Sequence, residues 1–142
     1  MAVEVRRPRD ERELAAALAL REEVFCGEQG VTIGGDRDRR DDEALQLVAV
    51  DDGVVGTCRL LIEPGGTAKF GRLCVRASAR GRGVGAALLT AAEAEARAAG
   101  ATRVGMHAQT GALALYERAG YAGYGEPFDE EGIEHLGMEK WL

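Results

Sequence analysis

Arg80-Gly81-Arg82-Gly83-Val84-Gly85-Ala86 follows an apolar, strand-like run and opens an alanine-rich one that reads as a helix. Glycines at 81, 83 and 85 let the backbone turn tightly and approach a ligand with no Cβ in between. A helix that starts here points its free N–H groups and the positive end of its dipole into the turn. That is a site for a phosphate or pyrophosphate, and Arg80 and Arg82 add charge of the right sign. In a chain of 142 residues with a formal net charge of -6, this local reversal suits an anionic small ligand rather than a polymer.

The neighbouring runs place the loop in a β-loop-α-β unit. Residues 68–75 read as the strand before it. Residues 83–99 read as the helix, with Glu93 and Arg97 paired at i,i+4 and Gly100 as its stop, and 103–108 as the next strand. If those strands are parallel the crossover is right-handed, and the loop lies at the C-terminal end of the strands, where ligands bind in such sheets. Upstream, Val3 and Val5 alternate with polar neighbours in a short strand ended by Pro8. Asp10 and Glu13 form a capping box for a helix carrying Leu14, Leu18, Arg21 and Phe25. Gly27, Gly30 and Gly34-Gly35 break regular structure, and residues 36–43 read as a mobile, solvated loop.

Residues 44–50 and 54–62 form a hairpin about Asp51-Asp52-Gly53. Residues 112–119 read as a helix stopped by Gly120, and 136–141 as a last strand. The order β-α-β-β-β-α-β-α-β predicts an α+β fold in a single domain over residues 1–142, with a mixed central sheet and helices on both faces.

Composition narrows the class. Apolar residues at 46% and charged residues at 30% describe a soluble globular protein, and the acidic balance argues against nucleic acid or an acidic membrane surface as partner. Cys26, Cys58 and Cys74 are odd in number and lack metal-type spacing, which fits reduced, mostly buried thiols in the cytoplasm. The N-terminus has no long apolar run for a secretory signal, and no apolar stretch is long enough to span a membrane. Two histidines without ligand spacing predict no metal. A symmetric homodimer through sheet edges or the last strand is compatible with the sequence.

Three ligands compete for the glycine loop. A P-loop needs a lysine and a hydroxyl where Gly85-Ala86-Ala87 stands. Gly81-x-Gly83-x-x-Ala86 formally fits a dinucleotide fingerprint, yet no acid stands about 20 residues further on to hold a ribose. The third ligand is coenzyme A. Arg80-x-x-Gly83-x-Gly85 resembles the R/Q-x-x-G-x-G/A motif of the GNAT superfamily of acyl-CoA-dependent N-acyltransferases. Leu73-Cys74-Val75 is similar to that family's splayed central strand, and Leu115-Tyr116-Glu117-Arg118-Ala119-Gly120-Tyr121 to its late helix signature. Arg21-Glu22-Glu23-Val24-Phe25, Glu28-Gln29-Gly30-Val31, His107-Ala108-Gln109 and Gly125-Glu126-Pro127-Phe128 resemble the ElaA-like or YjcF-like branch. Gln109 stands where many members have an Asn that touches the pantetheine arm, and Gln46 where the branch has a His.

The resemblance implies direct transfer of an acetyl group from acetyl-CoA to a primary amine, small or peptidyl. It assigns the pyrophosphate to the loop (Arg80, Gly81, Arg82, Gly83, Val84, Gly85, Ala86) and the pantetheine arm to Leu73, Cys74, Val75 and Gln109. Tyr116 matches the position that protonates the leaving thiolate. An amine with a pKa of about 10.4 must lose a proton before it attacks. Candidate bases are Glu28, His107, Glu126 and His135, with His107 preferred for its place near a strand end. The acceptor pocket is expected mostly from residues 27–43 and 124–135, with Phe25, Glu28, Gln29, Glu126 and His135 as candidates. Cys74, within a strand and with no base at hand, reads as an inert thiol rather than a nucleophile. A non-catalytic acyl-CoA-binding or regulatory domain of the same fold is the alternative, and a dehydrogenase a distant third.

Overall fold

The turn at Asp51-Asp52-Gly53 joins two antiparallel strands of the sheet. The computed structural model describes residues 3–32 and 36–142. Strands β1 (Glu4–Arg6), β2 (Leu45–Val50), β3 (Val54–Ile62), β4 (Thr67–Val75), β5 (Arg103–Gln109), β6 (Ala122–Glu130) and β7 (Ile133–Trp141) form one sheet in the order β1-β2-β3-β4-β5-β7-β6. Every pairing is antiparallel except β4 with β5. Helix α1 (Glu11–Arg21) covers one face, and α2 (Val84–Ala98) and α3 (Leu113–Arg118) pack on the other. Residues 54–61 of β3 are buried without a break, as a strand covered on both faces requires. No helix among the described residues is long and apolar enough to cross a membrane.

Two features of β4 set the geometry of the site. Its parallel register with β5 runs only from Thr67↔Arg103 to Lys69↔Gly105, and beyond that the strands part. On its other side, Thr57 faces Cys74 and Arg59 faces Gly71, so Arg72 and Leu73 together oppose Cys58. That is a β-bulge, and Arg72 takes a φ of 55° there. A bulge bends its strand and re-aims its backbone groups, which carries the end of β4 away from β5.

Several sequence expectations need correction. Asp10 caps α1 through the Glu13 N–H (3.0 Å), but the Glu13 carboxylate turns to the Arg9 N–H (2.7 Å) and the Arg6 guanidinium (2.6 and 2.9 Å). The buried stripe of this helix is Ala17, Leu20 and Arg21, continued by Val24 and Phe25 in the segment after it, with Leu14 36% exposed. Gly27 does not break the chain: a π-helical segment, Glu22–Glu28, runs through it. Gly34-Gly35 lies outside the described residues. Glu93 does not pair with Arg97. It is buried, accepting from Tyr121 Oη (2.8 Å) and Lys140 Nζ (3.1 and 3.2 Å), and so ties α2 to β7.

The acidic stretch 36–43 is not a solvated loop. Arg39–Asp42 form a 3₁₀ turn, and Asp36 is 2% exposed. Asp36 and Asp41 accept from the fully buried Arg21 (3.1 and 2.8 Å), and Asp38 and Asp41 from Arg59 (2.7 and 3.1 Å). Arg72 donates to the Asp36 carbonyl (2.8 Å) and to Asp38 (3.3 Å). A guanidinium buried at helix spacing needs such partners, and this stretch supplies them. Finally, β6 is a strand that the glycines and proline of 122–130 conceal.

Candidate active site

A short 3₁₀ turn (Ala77–Ala79), anchored by buried Ala79, brings the chain from β4 to the head of α2. Gly83 is the N-cap, at φ 78° and ψ 12°, with no side-chain cap. The first bond into the helix runs from the Ala87 N–H to the Gly83 carbonyl (3.0 Å), so the N–H groups of Val84, Gly85 and Ala86 have no intrahelical acceptor. Gly81 also sits at φ 78°, and a Cβ on Gly81 or Gly83 would meet nothing within 4 Å. Conformation rather than crowding calls for glycine at both. Gly85 differs: a Cβ there would lie 3.5 Å from Leu115 and 3.8 Å from Leu73, where α2 meets α3 and β4. Arg80 pairs with Glu28 (2.9 Å) and donates to the Val75 carbonyl (2.9 Å), and Arg82 pairs with Asp51 (2.9 Å).

The parting of β4 and β5 opens a cleft of about 730 Å³. Leu73, Cys74 and Arg80 line it from β4 and the loop, and Tyr116 from α3. Val75 and residues 81–86 lie outside the lining. Burial pushes the Cys74 thiol up to about 12, so it stays protonated and weakly nucleophilic. Tyr116 is 7% exposed, edge-on to Phe70 (6.3 Å between centroids) and to Tyr121 (6.2 Å). Burial, with the Cys58 thiol a lesser cause, raises its phenol above the ordinary 10.0. The hydroxyl makes no hydrogen bond among the described residues and can therefore donate to a group that enters the cleft.

The opposite wall is the β5–β7–β6 arm. His107 and Gln109 line it from β5, and His135 from β7. Gln109 and Gln29 exchange side-chain amide bonds (2.9 and 3.4 Å) across the mouth, joining the π-helical segment to the end of β5. Phe25 lines the cleft beside them. His107 is exposed, with Nδ1 3.1 Å from Glu130 Oε1. Two expected pocket residues are not in the lining: Glu28 is taken up by Arg80, and Glu126 is exposed on β6.

Arg72 was not anticipated as a cleft residue, whereas Tyr124 and Glu130 fall within the stretch 124–135 expected at the acceptor pocket, though no strand was expected there. Gly71 inside a strand is the one mark of the bulge that places Arg72. Glu130 and Tyr124 enter only because β6 exists, and Tyr124 lies across Gly137, whose Cβ would come within 2.6 Å of the ring. The alternation of β6 could have flagged them had Gly123, Gly125 and Pro127 not masked it.

Comparison with known proteins finds similar chains and folds. The family profile for the Acetyltransferase (GNAT) domain matches residues 31–142. The chain is similar to the uncharacterised N-acetyltransferase YjcF of Bacillus subtilis, at 36% identity over 134 residues, spanning 93% of this chain and 95% of that one. A crystal structure from Lactobacillus plantarum, described only provisionally as an N-acetyltransferase, matches with a TM-score of 0.90 and 34% identity over 100% of this chain and 99% of the other. Escherichia coli ElaA shares the fold, with a TM-score of 0.83, 23% identity and 98% of each chain covered.

Proposed function

The chain belongs to the GNAT acetyltransferase family, in the branch of ElaA and YjcF, and from that premise we propose that it moves an acetyl group from acetyl-CoA directly to a primary amine. The observation that carries the proposal is a convergence. The unpaired edge of β4 and the unpartnered Tyr116 hydroxyl border one cleft, and the open N–H groups of α2 lie at the helix head, where Gly85 stands beside Leu73 of that cleft. Pantetheine, thioester sulfur and pyrophosphate need those three, in that order.

Acetyl-CoA supplies the thioester. The N–H groups of Val84, Gly85 and Ala86 hold its pyrophosphate, with Arg80 and Arg82 turning from Glu28 and Asp51 to the phosphates. The backbone of Leu73, Cys74 and Val75 receives the pantetheine arm as an added strand. One of those N–H groups, re-aimed by the bulge, faces the thioester oxygen; loss of such a donor costs roughly a hundredfold in rate. Tyr116 gives its proton to the leaving sulfur. His107 Nε2 takes a proton from the acceptor ammonium, because an alkyl amine with a pKa of about 10.4 is mostly charged near neutrality. Phe25, Gln29 and His135 border the acceptor, and Gln109 the pantetheine arm. The free thiols Cys26, Cys58 and Cys74 fit a reducing compartment, in keeping with the cytoplasm.

The test is release of coenzyme A thiol over a panel of amines: amino acids, polyamines, amino sugars and peptide N-termini. Turnover with at least one amine is expected. Acetyl-CoA binding without turnover on any of them would replace the enzyme reading with a binding domain.

A further inference from the structure

This inference rests on the reading of His107 as proton acceptor and concerns what makes it one. His107 stands on β5 in register with Gly137, and Glu130 on β6 faces Ile133 at the end of the β6–β7 hairpin. Glu130 Oε1 lies 3.1 Å from His107 Nδ1, and Oε2 lies 3.7 Å from His135 Nε2. The carboxylate therefore sits between the only two histidines of the chain. Phe128 packs on both rings, edge-on to His107 (5.0 Å) and stacked on His135 (6.0 Å).

Donor and acceptor chemistry assigns the ring nitrogens. An ionised carboxylate only accepts, so His107 Nδ1 carries the proton and Nε2 is the lone-pair nitrogen left for the cleft. A carbonyl also only accepts, so the Ile133 oxygen, 2.7 Å from His135 Nδ1, takes that N–H. His135 Nε2 then faces Glu130 Oε2, a contact that attracts when Nε2 carries a proton. The neighbouring groups leave this arrangement undisturbed. Asp129 and Glu134 are register partners on the opposite face of the hairpin. Of the other acids lining the cleft from this arm, Glu139 is paired with Arg103 (3.2 Å), and Glu131 lies at the hairpin turn. Gln109, in register with His135, bonds to Gln29.

We propose that Glu130 is a positioning residue: it holds His107 in the tautomer whose Nε2 is open to the cleft and couples it to His135. The proton step balances within this group. An N–H bond of the acceptor ammonium breaks, its electron pair stays on nitrogen, and the proton bonds to His107 Nε2. The resulting positive charge faces the Glu130 carboxylate, and the half-exposed ring passes the proton on to water.

The spectroscopic arm of the test uses the intact protein without an acceptor, and the kinetic arm uses an amine from the panel that turns over. Labelling with ¹⁵N-histidine gives two ring systems, assigned by His107→Gln. At alkaline pH, His107 is expected as the Nδ1–H tautomer in the wild type, and Glu130→Ala returns it to the Nε2–H form. Glu130→Ala also lowers kcat about tenfold or more with no change in KM for acetyl-CoA. An Nε2–H tautomer in the wild type, or a tautomer indifferent to Glu130→Ala, overturns the positioning role. A switched tautomer with unchanged kcat overturns its part in proton transfer. Absence of wild-type turnover on every amine strikes the acetyltransfer reading instead, while the tautomer still decides for Glu130.

Discussion

Tyr116 owes its chemical state to burial. With the ring packed against Phe70 and Tyr121, its phenol is raised above 10.0, so the hydroxyl keeps its proton as the pH rises through that value. Tyr116→Phe is expected to lower kcat by roughly a hundredfold with little change in KM for acetyl-CoA, as steady-state kinetics would show. The wild type should lose no activity to Tyr116 ionisation up to pH 10. A decline centred below pH 10 that disappears in Tyr116→Phe would contradict this assignment. Tyr116 was legible in the sequence because its motif is local, seven residues of one helix and its stop. Glu130 was not. It meets His107 across 23 residues of chain, through a strand register that no spacing announces.

Elements show the same division. Hairpin β2–β3, strand β4 and helix α2 follow from alternation, a turn dipeptide and a glycine stop, and they stand within a residue or two of where the sequence puts them. β6 does not, because Gly123, Gly125 and Pro127 imitate a loop. Gly123 answers to packing, since a Cβ there would come within 2.7 Å of Leu136. The stretch 36–43 misleads for the opposite reason: its charges look solvated but neutralise Arg21 and Arg59. Hydrogen bonding from Arg59 holds the Asp38 carboxyl below its usual range. For Asp41, burial pushes upward, but the bonds from Arg21, the Asp38 N–H and Arg59 outweigh it and hold the group well below 3.8.

Above the ordinary value of 3.8, folded and unfolded chains are both ionised and the full contribution is present. As the pH falls below it, the unfolded chain binds the proton first and the contribution is lost. Asp41→Asn should destabilise by roughly 3 kcal/mol at neutral pH, because it removes a partner from a buried guanidinium. Urea midpoints at pH 6 and pH 3 should therefore fall less steeply with acid in Asp41→Asn than in the wild type. Equal slopes would remove the network from the account.

At the scale of the molecule, the bulge at Arg72–Leu73 and the short parallel register turn a continuous sheet into two arms with a cleft between them. The β5–β7–β6 arm carries His107, Glu130 and His135. The other ends at the glycine loop. Fold class and the glycine turn at the head of α2 were legible because both are built from contiguous segments. The facing wall was legible only as the stretches 27–43 and 124–135, because it is assembled from the π-helical segment after α1 and from β5, β6 and β7 at once. The central claim is that the head of α2 and the open edge of β4 receive acetyl-CoA. Calorimetric titration of acetyl-CoA into the wild type and into Gly83→Val/Gly85→Val, with thermal unfolding as the control for folding, tests it most directly. The wild type is expected to bind acetyl-CoA and the folded double variant is not; equal affinity in the two, or no binding by the wild type, would place the coenzyme elsewhere or nowhere on this chain.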